Sequence, residues 1–254
     1  HKAHPMNSLA AAVAVLGTLD ESISETTVEA ERQVSIKLIA QMATIAAAIA
    51  RLRQGADPIP PEDSLSHSGN FLYMMTGNRP DELSERVMDV SLILYADHGM
   101  NASTFTTMVV NSSLADMYSS VVAGIGSLKG PLHGGANEQV LYDLEEIGSV
   151  DNVESWFENA RKNKRLVMGF GHRVYKAEDP RAGHLRQGVK DLSEEMGQPE
   201  WYQILEAVVD AMKPYARRGI HVNVDFFAGA IYYLNGLPQD LFVPIFAVGR
   251  IPGW

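Results

Sequence analysis

Residues 27–54, TVEAERQVSIKLIAQMATIAAAIARLRQ, decide the fold class. Val34, Leu38, Met42, Ile45, Ile49 and Leu52 recur at steps of three and four, the period that returns side chains to one face of an α-helix. Gly55 follows as a terminator, and residues 57–61 (DPIPP) hold too many prolines to extend a helix. Upstream, His4-Pro5-Met6 reads as an irregular lead-in, with Asn7 or Ser8 able to cap a helix through Leu16. Downstream, a short helix is expected at 70–75. Arg79-Pro80-Asp81-Glu82 then starts another, running to about Ala96, because proline and acids suit a first turn. Helices follow at 103–111, 114–129, from after His133 to about 146, and at 152–163, 181–195, 199–217, 222–235 and 238–249. Pro214 and Pro244 should kink or shorten two of these. Residues 166–168 read as a short extended piece. With about ten helical patterns and almost no strand alternation, the fold class is all-α.

Residues 119–127 (SSVVAGIGS) are small enough to let two backbones approach closely. They predict a tight contact with another helix or subunit, or a helix tucked into its own core. The expected domain crossings are Gly130-Pro131 and the neighbourhood of Ala228-Gly229.

At 254 residues the chain can bury one large core or two smaller ones. Its 46% hydrophobic and 20% charged content is that of an ordinary globular protein. The absence of cysteine excludes a disulfide framework, thiol catalysis and a cysteine zinc site, and fits a cytoplasmic location. The longest apolar run, 42–50, is too short to span a membrane, and no signal peptide is visible. The chain starts at His1 without an initiator methionine and stops at Trp254 in mid-pattern, as the ordered part of a longer protein would.

A net charge of −10 argues against nucleic-acid binding. One segment reverses that sign. Arg161, Lys162, Lys164, Arg165, Arg173, Lys176, Arg181 and Arg186 are opposed locally only by Glu178 and Asp179. Such an island suits a small polyanionic ligand, or a solvated helix end.

Within it lies 169–181, GFGHRVYKAEDPR. Gly169 and Gly171 allow backbone to come close to a ligand, and Arg173 and Lys176 flank His172. The dinucleotide pattern G-x-G-x-x-G is absent, since position 174 is valine. Arg181, after the Asp179-Pro180 turn, could grip a carboxylate with its fork or form an ordinary salt bridge. His133, framed by Gly130-Pro131 and Gly134-Gly135, is expected at a helix start, where the positive end of the dipole keeps an imidazole neutral and able to donate to an oxyanion. Asp225, beside Val224 and Phe226-Phe227, is expected to be partly desolvated and so more basic. His98 and Arg250 carry little signal alone. No histidine spacing suits a metal, and no serine nucleophile elbow is present.

The segments ADHGMNAS (96–103), GPLHGGANE (130–138), MGFGHRVYKAEDPRA (168–182), NVDFFAG (223–229) and FAVGR (246–250) together resemble the citrate synthase family, in family order. The resemblance implies a two-domain, multihelical fold with the active site in a cleft between domains. Residues 1–132 and 231–254 would form the large domain, and 133–230 the small CoA-binding domain, closing after oxaloacetate binds. It implies condensation of acetyl-CoA with oxaloacetate, then hydrolysis to citrate and CoA. Asp225 would be the base, His133 the donor to the thioester oxygen, and His172 the group polarising the ketone. His98, Asn101, His172, Arg181 and Arg250 would hold oxaloacetate. Leu132, Val167, Met168, Gly169, Phe170, Gly171, Val174 and Lys176 would meet CoA. Acetyl-CoA is then a co-substrate, with no permanently bound cofactor and no metal. The family implies at least a homodimer, with an arginine of the partner chain completing the oxaloacetate site, and no nucleic-acid or membrane partner. Two alternatives stand beside this reading: a 2-methylcitrate synthase using propionyl-CoA, and a catalytically inactive helical assembly module.

Overall fold

The computed structural model describes residues 3–172 and 174–254. Among these there is no strand, and the chain divides into two compact units. One runs to Gly135 and resumes over Asp240–Trp254; the other is Ala136–Gln239. The crossings, at Gly135–Ala136 and Gln239–Asp240, therefore lie later in the chain than Gly130-Pro131 and Ala228-Gly229.

The first unit contains α1 (Pro5–Leu19), α2 (Val28–Arg53), α3 (His67–Thr76), α4 (Glu82–Ala96), α5 (Ala102–Asn111), α6 (Met117–Leu128) and α12 (Phe242–Arg250). Short polar caps set most of the starts. Thr27, Ser66, Asp81, Asn101 and Asp116 each accept a backbone N–H two or three residues into the following helix, satisfying donors the first turn leaves unpaired. The first helix starts earlier than its sequence suggests. Pro5 occupies the first turn and His4 Nδ1 accepts from Met6 N at 3.2 Å, so neither Asn7 nor Ser8 is the cap.

In α2 the first half of the predicted face is buried: Val34, Leu38 and Met42 turn inward, but Ile45 and Ile49 are half-buried and Leu52 is exposed, and Ala43, Ala46, Ala47 and Ala50 are buried in the second half instead. By length and apolar content α2 could cross a membrane, but it packs against α1, α3 and α12 as a core helix does. The small-residue helix α6 does make a tight contact. A Cβ added at Gly124 would lie 2.6 Å from Thr107 Cγ2 on α5, and one at Gly17 would lie 3.0 Å from Tyr118 Cβ.

The second unit contains α7 (Ala136–Ile147), α8 (Val153–Lys162), α9 (Pro180–Glu195), α10 (Glu200–Met212) and α11 (Val224–Leu234). Pro214 ends α10 early, and Lys213–Arg218 continues as a 3-10 turn. Pro244 falls in the first turn of α12, and Gln239–Leu241 is a separate 3-10 turn. Residues 166–168 form no strand. The extended contact lies two residues beyond that stretch, an isolated antiparallel bridge between Phe170 and Val222.

Each unit is built around one helix that is apolar on all sides, the pattern of a fully enclosed helix. In the first unit every residue of α12 is buried; in the second α11 is buried from Phe226 to Tyr232. Because α11 packs along its length on α7 and α9, it cannot be divided near Ala228-Gly229, and the crossing falls beyond its end. Each central helix carries one of the predicted site residues at a terminus: Arg250 ends α12, and Asp225 lies in the first turn of α11.

Candidate active site

In the first unit, His133 lies in the turn ahead of α7. Its Nε2 accepts from Ser103 N at 3.3 Å and lies 2.9 Å from Ser103 Oγ. Accepting the backbone N–H uses the Nε2 lone pair, so the neutral ring carries its proton on Nδ1. Burial, with the charge of Arg250 second, pushes its pKa down to about 4. The predicted neutrality is present, but its cause is desolvation and a cation, because the ring precedes the helix rather than starting it.

Arg250 is itself buried. Its Nε donates to Tyr95 O at 2.6 Å, and its guanidinium stands 5.0 Å from the Phe246 ring centroid. Ser103, which sequence reading passed over, links this group. It donates to Asn101 Oδ1 at 2.8 Å and accepts from Trp254 Nε1 at 2.9 Å. Asn101 is occupied as the cap of α5, accepting from Thr104 N at 3.1 Å and donating to Thr104 Oγ1 at 2.9 Å. His98 is half-buried just beyond α4, and Leu132 is exposed in the turn before His133.

In the second unit, residues 169–171 are clamped by 221–223. Gly171 N donates to His221 O at 2.7 Å, Asn223 N to Gly169 O at 2.9 Å, and Asn223 Nδ2 to Gly171 O at 2.9 Å. Gly169 has φ +78°, and a Cβ there would lie 2.7 Å from Phe226 Cβ, so only glycine fits. The Phe170 and Phe226 rings meet edge to face at 4.8 Å. His172 Nδ1 accepts from Val174 N at 3.0 Å and from Tyr175 N at 3.2 Å, so the neutral ring holds its proton on Nε2. Burial lowers its pKa and Asp179 opposes that, while Arg181 and Lys176 lower it further. Val174 and Lys176 are exposed, and Val167 and Met168 half-buried. Arg173 lies outside the described residues.

Asp179, fully buried, is the centre that sequence reading saw only as part of a turn. It accepts from Arg181 N and Nε, each at 3.0 Å, and from Arg181 Nη2 at 2.7 Å. It also accepts from Val224 N at 3.3 Å, and its own N–H donates to Val222 O at 3.2 Å. Burial works to raise its pKa, but the Arg181 bonds and charge hold it below the usual carboxylate value. The Nε–Nη2 edge of Arg181 thus forms a salt bridge to Asp179. Half-buried Asp225 is positioned by Asn223, whose Oδ1 accepts from Asp225 N at 3.0 Å. The signal for that cap was an asparagine two residues before an acid at a helix start.

The basic island is smaller in space than in sequence. Arg165 pairs with Asp143 and Glu146, Arg161 with Glu158, and Arg186 with Glu206 and Glu178. Lys162, Lys164 and Lys176 remain as exposed cations. Among the described residues no group of three or more His, Cys, Asp or Glu is placed to hold a metal ion.

The family model "Citrate synthase, C-terminal domain" matches residues 1–254. Citrate synthase of Deinococcus radiodurans is 49% identical over 99% of this chain and 67% of its own length; that of Synechocystis is 44% identical over 99% and 64%. A 2-methylcitrate synthase of Corynebacterium glutamicum is 42% identical. Among solved structures, citrate synthase of Thermoplasma acidophilum in ternary complex with carboxymethyl coenzyme A and oxaloacetate is 33% identical. Its TM-score is 0.93 over all of this chain and 68% of that one. The chain spans about two thirds of the length of these relatives. With the whole of its length matched by the family model, the chain belongs to the citrate synthase family.

Proposed function

We propose that this chain carries out the citrate synthase reaction, joining acetyl-CoA to oxaloacetate and hydrolysing the citryl thioester to citrate and CoA. The observation that carries the reading is His133: a ring kept neutral by burial and Arg250, with its proton on Nδ1. A thioester α-proton is weakly acidic and a carboxylate is a weak base, so the step needs a donor at the oxygen as the proton leaves. Asp225 takes the methyl proton, and His133 donates to the thioester oxygen. The resulting enol attacks the oxaloacetate ketone, whose oxygen His172 polarises through Nε2–H. Water then cleaves the thioester, and the CoA thiol leaves with a proton. Arg250, His98 and Asn101 hold the oxaloacetate oxygens together with Arg181, which acts through the edge away from Asp179. Leu132, residues 167–171, Val174 and Lys176 contact CoA. The protein works as a homodimer or larger homo-oligomer, in the cytoplasm, with no metal.

The test follows thiol release from acetyl-CoA and propionyl-CoA, with and without oxaloacetate, in wild type and Asp225→Ala. Oxaloacetate-dependent release that falls about 10²–10⁴-fold in the variant supports the reading. No such release in wild type, or full activity in the variant, overturns it. Turnover of propionyl-CoA equal to or better than acetyl-CoA would favour the 2-methylcitrate reading, since one methylene separates the substrates.

A further inference from the structure

Residues 165–169 have no regular secondary structure, so their position depends on side-chain anchors. At the Gly169 end the anchor is the clamp of 221–223 described above. At the other end it is a pair of acids on α7. Asp143 and Glu146, three residues apart, lie on one helix face. Arg165 Nη2 donates to Asp143 Oδ1 at 2.5 Å, and Nη1 to Glu146 Oε2 at 2.6 Å. The guanidinium also stands 5.4 Å from the Trp156 ring centroid on α8, and Arg165 N donates to Ala160 O at 2.8 Å. Burial pushes the Asp143 carboxyl up, and the charge of Arg165 works against that.

This pair differs from an ordinary surface bridge, which would matter little. The Asp143 side chain is only 7% exposed, and its other close partner is Gln139 Nε2 at 3.4 Å. Without Arg165 a buried carboxylate would lose its balancing charge, so the arginine, and the chain that carries it, stays where Asp143 holds it.

We propose that Asp143, assisted by Glu146, is a positioning residue for acyl-CoA binding: acting through Arg165, it fixes residues 165–168 as one side of the CoA contact. The inference rests on the assignment of residues 167–171 to CoA made above.

Asp143→Asn keeps the shape and removes the charge; Arg165→Met removes the other partner. Each should raise KM for acetyl-CoA about tenfold, with kcat and KM for oxaloacetate within about twofold of wild type. The double variant should be no worse than the worse single one, because both break the same link. Arg165→Lys, which keeps a charge but not the fork, should restore part of the affinity. In amide hydrogen exchange, 166–168 should exchange faster in Asp143→Asn while 223–225 stay unchanged. An unaltered KM for acetyl-CoA in both single variants overturns the proposal, as does a uniform loss toward both substrates with faster exchange throughout the unit. If wild type shows no oxaloacetate-dependent thiol release, the activity reading fails instead. The exchange experiment then still decides the anchor: faster exchange at 166–168 alone supports it, and unchanged exchange there overturns it.

Discussion

Acidification should destabilise the first unit through His133. The folded ring titrates at about 4, against 6.5 for an unperturbed histidine, because burial and Arg250 both disfavour the imidazolium. Between those values the unfolded chain binds a proton that the folded one does not, so stability rises with pH across that window. It is complete above 6.5, is lost as pH falls toward 4, and is flat below 4 as far as this group is concerned. At about 1.4 kcal/mol per pH unit, the loss is on the order of 3 kcal/mol, an upper figure for a ring that is only half-buried. Denaturant unfolding at half-unit steps from pH 7.5 to 4, in wild type and His133→Gln, isolates the contribution as the difference between the two curves. Nitrogen-resolved NMR titration of the ring reads the value directly. Parallel curves, or a ring titrating near 6.5, would refute the argument. Asp179 acts in a separate, lower window: its folded value lies below 3.8, so its support of the second unit persists until pH falls through that value.

Three further outcomes are expected. Ring ¹⁵N shifts at pH 7.5 should show opposite tautomers, with the proton on Nδ1 in His133 and on Nε2 in His172; the same tautomer in both would contradict the hydrogen bonds described. Gly169→Ala should destabilise the second unit by about 2–4 kcal/mol in thermal melts, combining a left-handed backbone with a Cβ driven into Phe226. Asn223→Ala should cost about 0.5–2 kcal/mol for the lost cap and should lower kcat more than Ser66→Ala, a cap at α3 far from the assigned groups in sequence.

Periodicity made the helices legible, because Val34, Leu38 and Met42 face the core wherever α2 packs. Helix ends were less legible, since several residues near a start could cap it and only one does; His4, not Asn7 or Ser8, caps α1. The neighbourhoods of His133 and His172 could be singled out by their glycines. Their tautomers could not, because these depend on which backbone N–H each ring meets. The charge island was misread in part for the same reason: Asp143, Glu146 and Glu206 reach it from other helices. Arg181 and Asp179 are two residues apart, yet the sequence shows a turn there and not a fork turned back on its own neighbour.

The clamp at 221–224 bears on recombination between relatives. A segment exchange over 169–181 would import His172, Arg181 and the glycine turn, yet the backbone bonds of Gly169 and Gly171 and the bonds of Asp179 to 222 and 224 would be answered by the host's own 221–224. A chimera built from one contiguous block would therefore pair a donor loop with a foreign seat. The smallest portable piece is discontinuous, two stretches about forty residues apart that must be exchanged together.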